Sequence, residues 1–151
     1  MNIGPTFCMN YADRVELEIH LTHCDSSFVP PLTDRVNIQR YAEKLIDKSV
    51  RFEAWHREQL IGLIAVYCND PSKLTAFITS VSVLPAWQGN GIAANLLASC
   101  LEYVRQLGFA VLKLEVDSRN QAAVALYRKY GFVTAYANGH LLKLILTLAK
   151  T

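Results

Sequence analysis

Apolar and polar positions along the chain fall into blocks whose period changes from one block to the next. Over residues 13–22 the alternation is strict: Val15, Leu17, Ile19 and Leu21 alternate with Arg14, Glu16, Glu18 and His20. That is the period of a strand, while Asp13 as an N-cap and the stripe Leu17, Leu21, Cys24 describe a helix, and both readings stand. Residues 26–32 (SSFVPPL) hold two consecutive prolines, which exclude a helix and leave Phe28, Val29 and Leu32 on a loop, as a lid on the core or a wall of a binding site. Thr33 or Asp34 then caps a helix through Val36, Tyr41, Leu45 and Ile46 to about Lys48. Residues 50–56 and 60–68 read as two strands of a hairpin across the polar turn Arg57-Glu58-Gln59, and a longer strand covers 74–84 after the turn signal Asn69-Asp70-Pro71-Ser72.

The next block has a helical period. Ile92, Leu96, Leu97, Cys100, Tyr103, Val104 and Leu107 form one apolar face and Gly108 ends the helix. Residues 111–116 (VLKLEV) are a strand again, and a crossover of this length makes it parallel to the 74–84 strand. A second helix, capped by Ser118 or Asn120, carries Ala123, Leu126, Tyr127 and Tyr130 on one face and stops at Gly131. Strands over 132–137 and 140–148 close the chain as a hairpin across Asn138-Gly139. The expected fold is mixed α/β (α+β), with one parallel strand pair inside an otherwise antiparallel sheet.

The chemistry concentrates in residues 81–101 (VSVLPAWQGNGIAANLLASCL), where a buried strand stops at Pro85, turns through glycines and enters a helix near Gly91. A helix entered in this way offers unpaired N–H groups and the positive end of its dipole to an anion. A nucleotide P-loop is excluded, because the second glycine spacing and the Lys-Ser/Thr pair are absent. Gly89-Asn90-Gly91-Ile92-Ala93-Ala94 does fit the dinucleotide pattern G-x-G-x-x-A, with Glu115 and Asp117 downstream, but the antiparallel meander that leads into the turn conflicts with a Rossmann unit.

A third reading comes from resemblance. Gln88-Gly89-Asn90-Gly91-Ile92-Ala93 matches the pyrophosphate loop of the GCN5-related N-acetyltransferases, Arg or Gln, two variable residues, Gly, one variable residue, Gly or Ala. Residues 120–132 (NQAAVALYRKYGF) match that family's second segment, Asn, two residues, Ala, two residues, Leu-Tyr, then Gly-Phe. With the element order, the resemblance covers residues 50–148. It implies the acyl-CoA N-acyltransferase fold, with the parallel strands splayed at the cofactor site and helices on both faces. It also favours helix over strand for residues 13–22.

The resemblance further implies acetyl-CoA as co-substrate, an amine of a small molecule or peptide as acceptor, and direct attack on the thioester. Val81 and Val83 would offer backbone groups to the pantetheine arm, Gln88, Gly89, Asn90, Gly91, Ile92 and Ala93 would hold the pyrophosphate, and Asn120 would touch the pantetheine or act only as an N-cap. Tyr127 would return a proton to the CoA thiolate or stand as a core tyrosine; a phenol titrating near ~10 is protonated at neutral pH and suits the first role. Phe28, Pro31 and Leu32 would face the acceptor. Many relatives carry a glutamate on the central strand as base, whereas here that strand reads Phe77-Ile78-Thr79-Ser80-Val81. Glu115, or a water held by Thr79 or Ser80, is left as the candidate, and a non-catalytic acyl-CoA-binding or regulatory module is the rival reading.

Composition narrows this further. At 151 residues and 52% hydrophobic, one domain over 1–151 is expected. A net charge of +2 with no basic run points to neither nucleic acid nor a membrane surface as partner. The start of the chain has no signal-like pattern, so the cytoplasm is expected, with Cys8, Cys24, Cys68 and Cys100 as reduced thiols. His20, His23, His56 and His140 lack metal-ligand spacing, so no metal is expected. A homodimer is expected on frequency alone.

Overall fold

The computed structural model describes residues 4–148. The elements follow in the order β1 (Thr6–Met9), α1 (Arg14–Cys24), α2 (Ile38–Lys48), β2 (Val50–His56), β3 (Gln59–Tyr67), β4 (Thr75–Val83), α3 (Ile92–Gln106), β5 (Val111–Asp117), α4 (Gln121–Lys129), β6 (Val133–Asn138) and β7 (Leu141–Thr147). One sheet contains all seven strands in the order β1-β2-β3-β4-β5-β7-β6. Among these neighbours only β4 and β5 are parallel. The meander from β2 to β4 excludes the Rossmann topology.

Residues 13–22 lie in a helix, and the reason is at its start. Asp13 accepts from the Glu16 amide at 2.8 Å and Glu16 accepts from the Asp13 amide at 3.0 Å, a reciprocal capping box. Leu17, His20, Leu21 and Cys24 form the buried stripe, while Val15 and Ile19 are 50% and 51% exposed. The alternation looked like a strand because this helix carries apolar residues on two faces.

Three boundaries differ from expectation. Strand β1 was not legible: its four residues are mostly exposed, and pairing with β2 makes it a strand. The cap of α2 is Asn37, which accepts from the Arg40 amide at 2.9 Å; Thr33 instead donates twice to Asp25, through its amide at 2.7 Å and its hydroxyl at 2.9 Å. In the terminal hairpin Asn138 still pairs with Leu141, so the turn is Gly139-His140, one residue later, with φ +60° at the glycine.

Two apolar clusters flank the sheet. The larger unites α3 and α4 with β2–β5 and β7, and the smaller packs α1 and α2 on β2 and β3. Helix α3 lies so close to the sheet that a Cβ on Gly62 would stand 2.7 Å from Ile92 Cγ2. A side chain there would push α3 away, so the glycine sets the first turn of α3 against β3, where Gly62 pairs with Val83 at the end of β4.

Candidate active site

Strands β4 and β5 pair over 75–78 and 111–114 and then part, leaving 79–83 and 115–117 facing a gap. The divergence begins at a bulge. Ser80 pairs with Ala65 and Ile78 with Val66, so Thr79 is the extra residue. Its carbonyl and hydroxyl are engaged by the Tyr41 hydroxyl of α2 at 2.9 and 2.7 Å. The extra residue reverses the side-chain faces: Ala76 and Ile78 before it and Val81 and Val83 after it all pack on the larger cluster. Because the Leu84 amide donates to Ile61 O on β3, alternation turns the backbone groups of Val81 and Val83 toward the gap. The Val83 carbonyl accepts there from Gln88 Nε2 at 3.2 Å.

The turn after β4 ends at a helix start without a side-chain cap. Gly91 is the N-cap of α3 in the left-handed region, φ +74°, and Gly89 has φ +82°. Asn90 Nδ2 folds back on the carbonyls of Trp87 and Gln88 and fixes the turn. Among the described residues, no protein atom accepts from the amides of Gly89, Asn90, Gly91, Ile92, Ala93 or Ala94. This is the geometry of an anion cradle, exposed at the turn that follows the gap-lining end of β4. Gln88 also reaches Ser27 Oγ at 3.4 Å and so joins the cradle to the loop after α1.

Helix α4 closes the other side. Asn120 Oδ1 accepts from the Ala123 amide at 3.3 Å, so its carbonyl is the N-cap, while its Nδ2 donates to no protein group among the described residues. Tyr127 is 5% exposed, edge-on to Phe132 at 5.8 Å, and burial pushes its phenol above the ordinary value. It is thus protonated throughout the neutral range. The Tyr130 hydroxyl donates to Ala94 O at 3.2 Å and holds α4 against the first turn of α3, a role that its place in the apolar stripe did not disclose.

The opposite face carries a different set of groups. His20 is buried, with Nδ1 2.8 Å from Leu60 O and Nε2 2.9 Å from Ser82 Oγ. A carbonyl only accepts, so Nδ1 bears the proton and Nε2 accepts from Ser82. Burial, the largest cause, pushes this imidazole down to about 4, so it is neutral at pH 7. Glu115 is the first β5 residue past the paired segment. Its side chain is 48% exposed, with Lys143 Nζ 3.8 Å away on β7, a partner brought opposite by register rather than by sequence proximity.

Of the three loop residues expected at the acceptor, Phe28 is half-buried between both clusters and Pro31 is exposed. Leu32 departs from that expectation: at 2% exposure its side chain fills the smaller cluster and offers no surface to a ligand. Two surface hollows, about 290 Å³ between β1 and α3 and about 250 Å³ between α1 and the β2–β3 turn, include no residue of the gap or the cradle.

A divided parallel pair beside an open helix start defines the acyl-CoA N-acyltransferase class of fold, and comparison with known proteins agrees. The profile described as the Acetyltransferase (GNAT) family matches residues 16–132, and this chain belongs to that family. It is 28% identical over 95 residues to the N-alpha-acetyltransferase MAK3 of Arabidopsis thaliana, covering 58% of this chain and 50% of that protein. It is 32% identical over 103 residues to the mycothiol acetyltransferase of Streptomyces scabiei, covering 68% of this chain and 33% of that protein. The chain thus matches a third to a half of the length of these relatives. Its fold resembles the PaiA N-acetyltransferase of Thermoplasma acidophilum in complex with coenzyme A, with TM-score 0.73, 16% identity, and coverage of 94% and 99%. No helix among the described residues is long and apolar enough to cross a membrane.

Proposed function

We propose that residues 1–151 act as one unit that transfers the acetyl group of acetyl-CoA directly to an amine. The observation that carries this reading is the run of unpartnered amides at Gly89–Ala94 standing beside the β4–β5 gap. The amides and the dipole of α3 would hold the pyrophosphate, and the pantetheine arm would lie along the gap-facing backbone of Val81 and Val83. Gln88 would release the Val83 carbonyl as the arm enters. Asn120 would donate to the arm through the Nδ2 that capping leaves free.

The gap passes between the two faces of the sheet, and this suits an in-line displacement. The amine lone pair would form the new C–N bond from the α1/α2 face, and the C–S bond would break toward the α3/α4 face with its electron pair on sulfur. Glu115, open at the mouth of the gap, would take the proton lost by the amine, and Tyr127 would give a proton to the thiolate. A water on Thr79 or Ser80 is a poorer base site. The Thr79 hydroxyl is engaged by Tyr41, and Ser80 Oγ is sealed with no partner. Phe28 and Pro31 would border the acceptor. Holding the reactants in line would contribute most of the rate.

Calorimetric titration with coenzyme A and a thiol-release assay over a panel of amines test the reading together. Binding with release is expected. Binding without release on any amine would reassign the chain to a non-catalytic acyl-CoA module, and absence of binding would remove the cradle.

A further inference from the structure

On β5, Leu112 and Leu114 are buried in the larger cluster, so Lys113 and Glu115 face the opposite side of the sheet. On β7, Leu144 and Leu146 are likewise in the core, which turns Lys143 and Ile145 to that same side. Register sets Glu115 beside Lys143 and Lys143 beside Tyr136 in one row across β5, β7 and β6, with Lys113 and Ile145 in the row behind. The cluster under α1 and α2 draws its strand residues from β2 and β3, and this part of the face is bare, with Tyr136 51% exposed.

The charges on this bare face do not cancel. Asp117, next along β5, is closed by two bonds from the Arg119 guanidinium at 2.9 and 2.7 Å. That leaves Glu115 with Lys143 opposite it on β7 and Lys113 two residues back on the same face of β5. Lys143 Nζ lies 3.8 Å from Glu115 Oε2 and over the Tyr136 ring at 5.4 Å, while Lys113 has no ion-pair partner among the described residues. A half-exposed pair of this length is weak and opens readily to a better-placed ligand. An uncharged amine bound at Glu115 leaves one positive charge uncompensated, whereas an amine with its own carboxylate matches both signs.

We infer that the acceptor carries a carboxylate close to its reactive amine, and that Lys143, backed by Lys113, binds that carboxylate while Glu115 receives the amine. The inference rests on the acetyl-transfer reading and names the acceptor class for the same site. The 3.8 Å between Lys143 and Glu115 suits a compact amino acid lying head to tail along the pair, and in its reactive form, with the amine neutral, its carboxylate offsets the surplus positive charge. Two sources share this chemistry, a free amino acid with its α-carboxylate and a peptide whose first residue is Asp or Glu.

Thiol release with acetyl-CoA tests it with matched acceptors: free amino acids against their α-amides, and peptides beginning with Asp or Glu against those beginning with Asn or Gln. The wild-type chain is expected to favour the carboxylate member of at least one series by tenfold or more in kcat/KM, and the series that shows it identifies the source. That ratio is expected to fall toward one in Lys143→Gln and to persist in Lys143→Arg. A comparison within one variant cancels any general effect on Glu115, and an exposed lysine can be replaced without disturbing the core. Brisk turnover of the amides with a ratio near one in both series, or an unchanged ratio in Lys143→Gln, overturns the inference and leaves acetyl transfer standing. No release with any acceptor overturns both.

Discussion

Helices α1 and α3 both begin beside the sheet, yet one start is closed on the protein's own atoms and the other is open. At α1, Asp13 and Glu16 cap each other, and the amides just before, Tyr11 and Ala12, donate to the buried Glu53 carboxylate at 3.1 and 3.0 Å. Arg51 Nε and Trp55 Nε1 fill that carboxylate's other positions at 3.4 and 3.0 Å. His20 spends both ring nitrogens as well. At α3 there is no side-chain cap, a glycine holds the left-handed position, and six successive amides find no acceptor among the described residues. Buried polar groups that satisfy one another hold the fold together, and groups left open are available to a ligand. Substitutions on the closed side should therefore change stability, and those on the open side should change turnover or binding.

The largest effect is expected at an open group. Glu115→Gln removes the proposed base and should lower kcat by roughly 10²–10⁴-fold while the melting temperature stays put; an unchanged kcat transfers the role elsewhere. On the closed side, His20 titrates near 6.5 when unfolded and at about 4 when folded. The unfolded chain binds the extra proton between those values, so the stabilisation is whole above about pH 6.5 and is lost as pH falls toward 4. The loss should reach about 3 kcal/mol by pH 4, and denaturant melts of His20→Gln should lack that part of the pH dependence.

Tyr127→Phe should lower kcat about 10²-fold at saturating acetyl-CoA, because it removes only the proton returned to the thiolate. Turnover equal to wild type would leave Tyr127 a core residue. Gly91→Val forces a branched side chain to φ +74°, which costs about 1–2 kcal/mol, so calorimetry should show coenzyme A binding weakened about tenfold or more. The smallest effect belongs to Asp13→Ala, about 1 kcal/mol of stability with coenzyme A affinity unchanged. A loss of affinity there would erase the distinction between the two helix starts.

The open side was the more legible. Gln88 to Ala93 and Asn120 to Phe132 are contiguous, and the conformations they need follow from glycines and caps that act within a few residues. The acceptor side was less so, since its groups come from separate elements. Leu32 looked available on its proline-rich loop, yet the loop folds inward and buries it. Lys143 reads as a surface lysine until the β5–β7 register puts it beside Glu115, and β1 exists only because β2 offers it an edge.

Local chemistry alone thus determined the order of strands and helices from α2 onward, the parallel pair enforced by its crossover, and the glycine turn that leaves α3 uncapped, since each depends on period, sterics and hydrogen bonds between near neighbours. Only the tertiary structure decided which face of α1 is buried, where the bulge at Thr79 parts β4 from β5, and which charges share the bare face. Those outcomes depend on register between segments far apart in the chain, and a shift of one residue would turn every side chain to the other face.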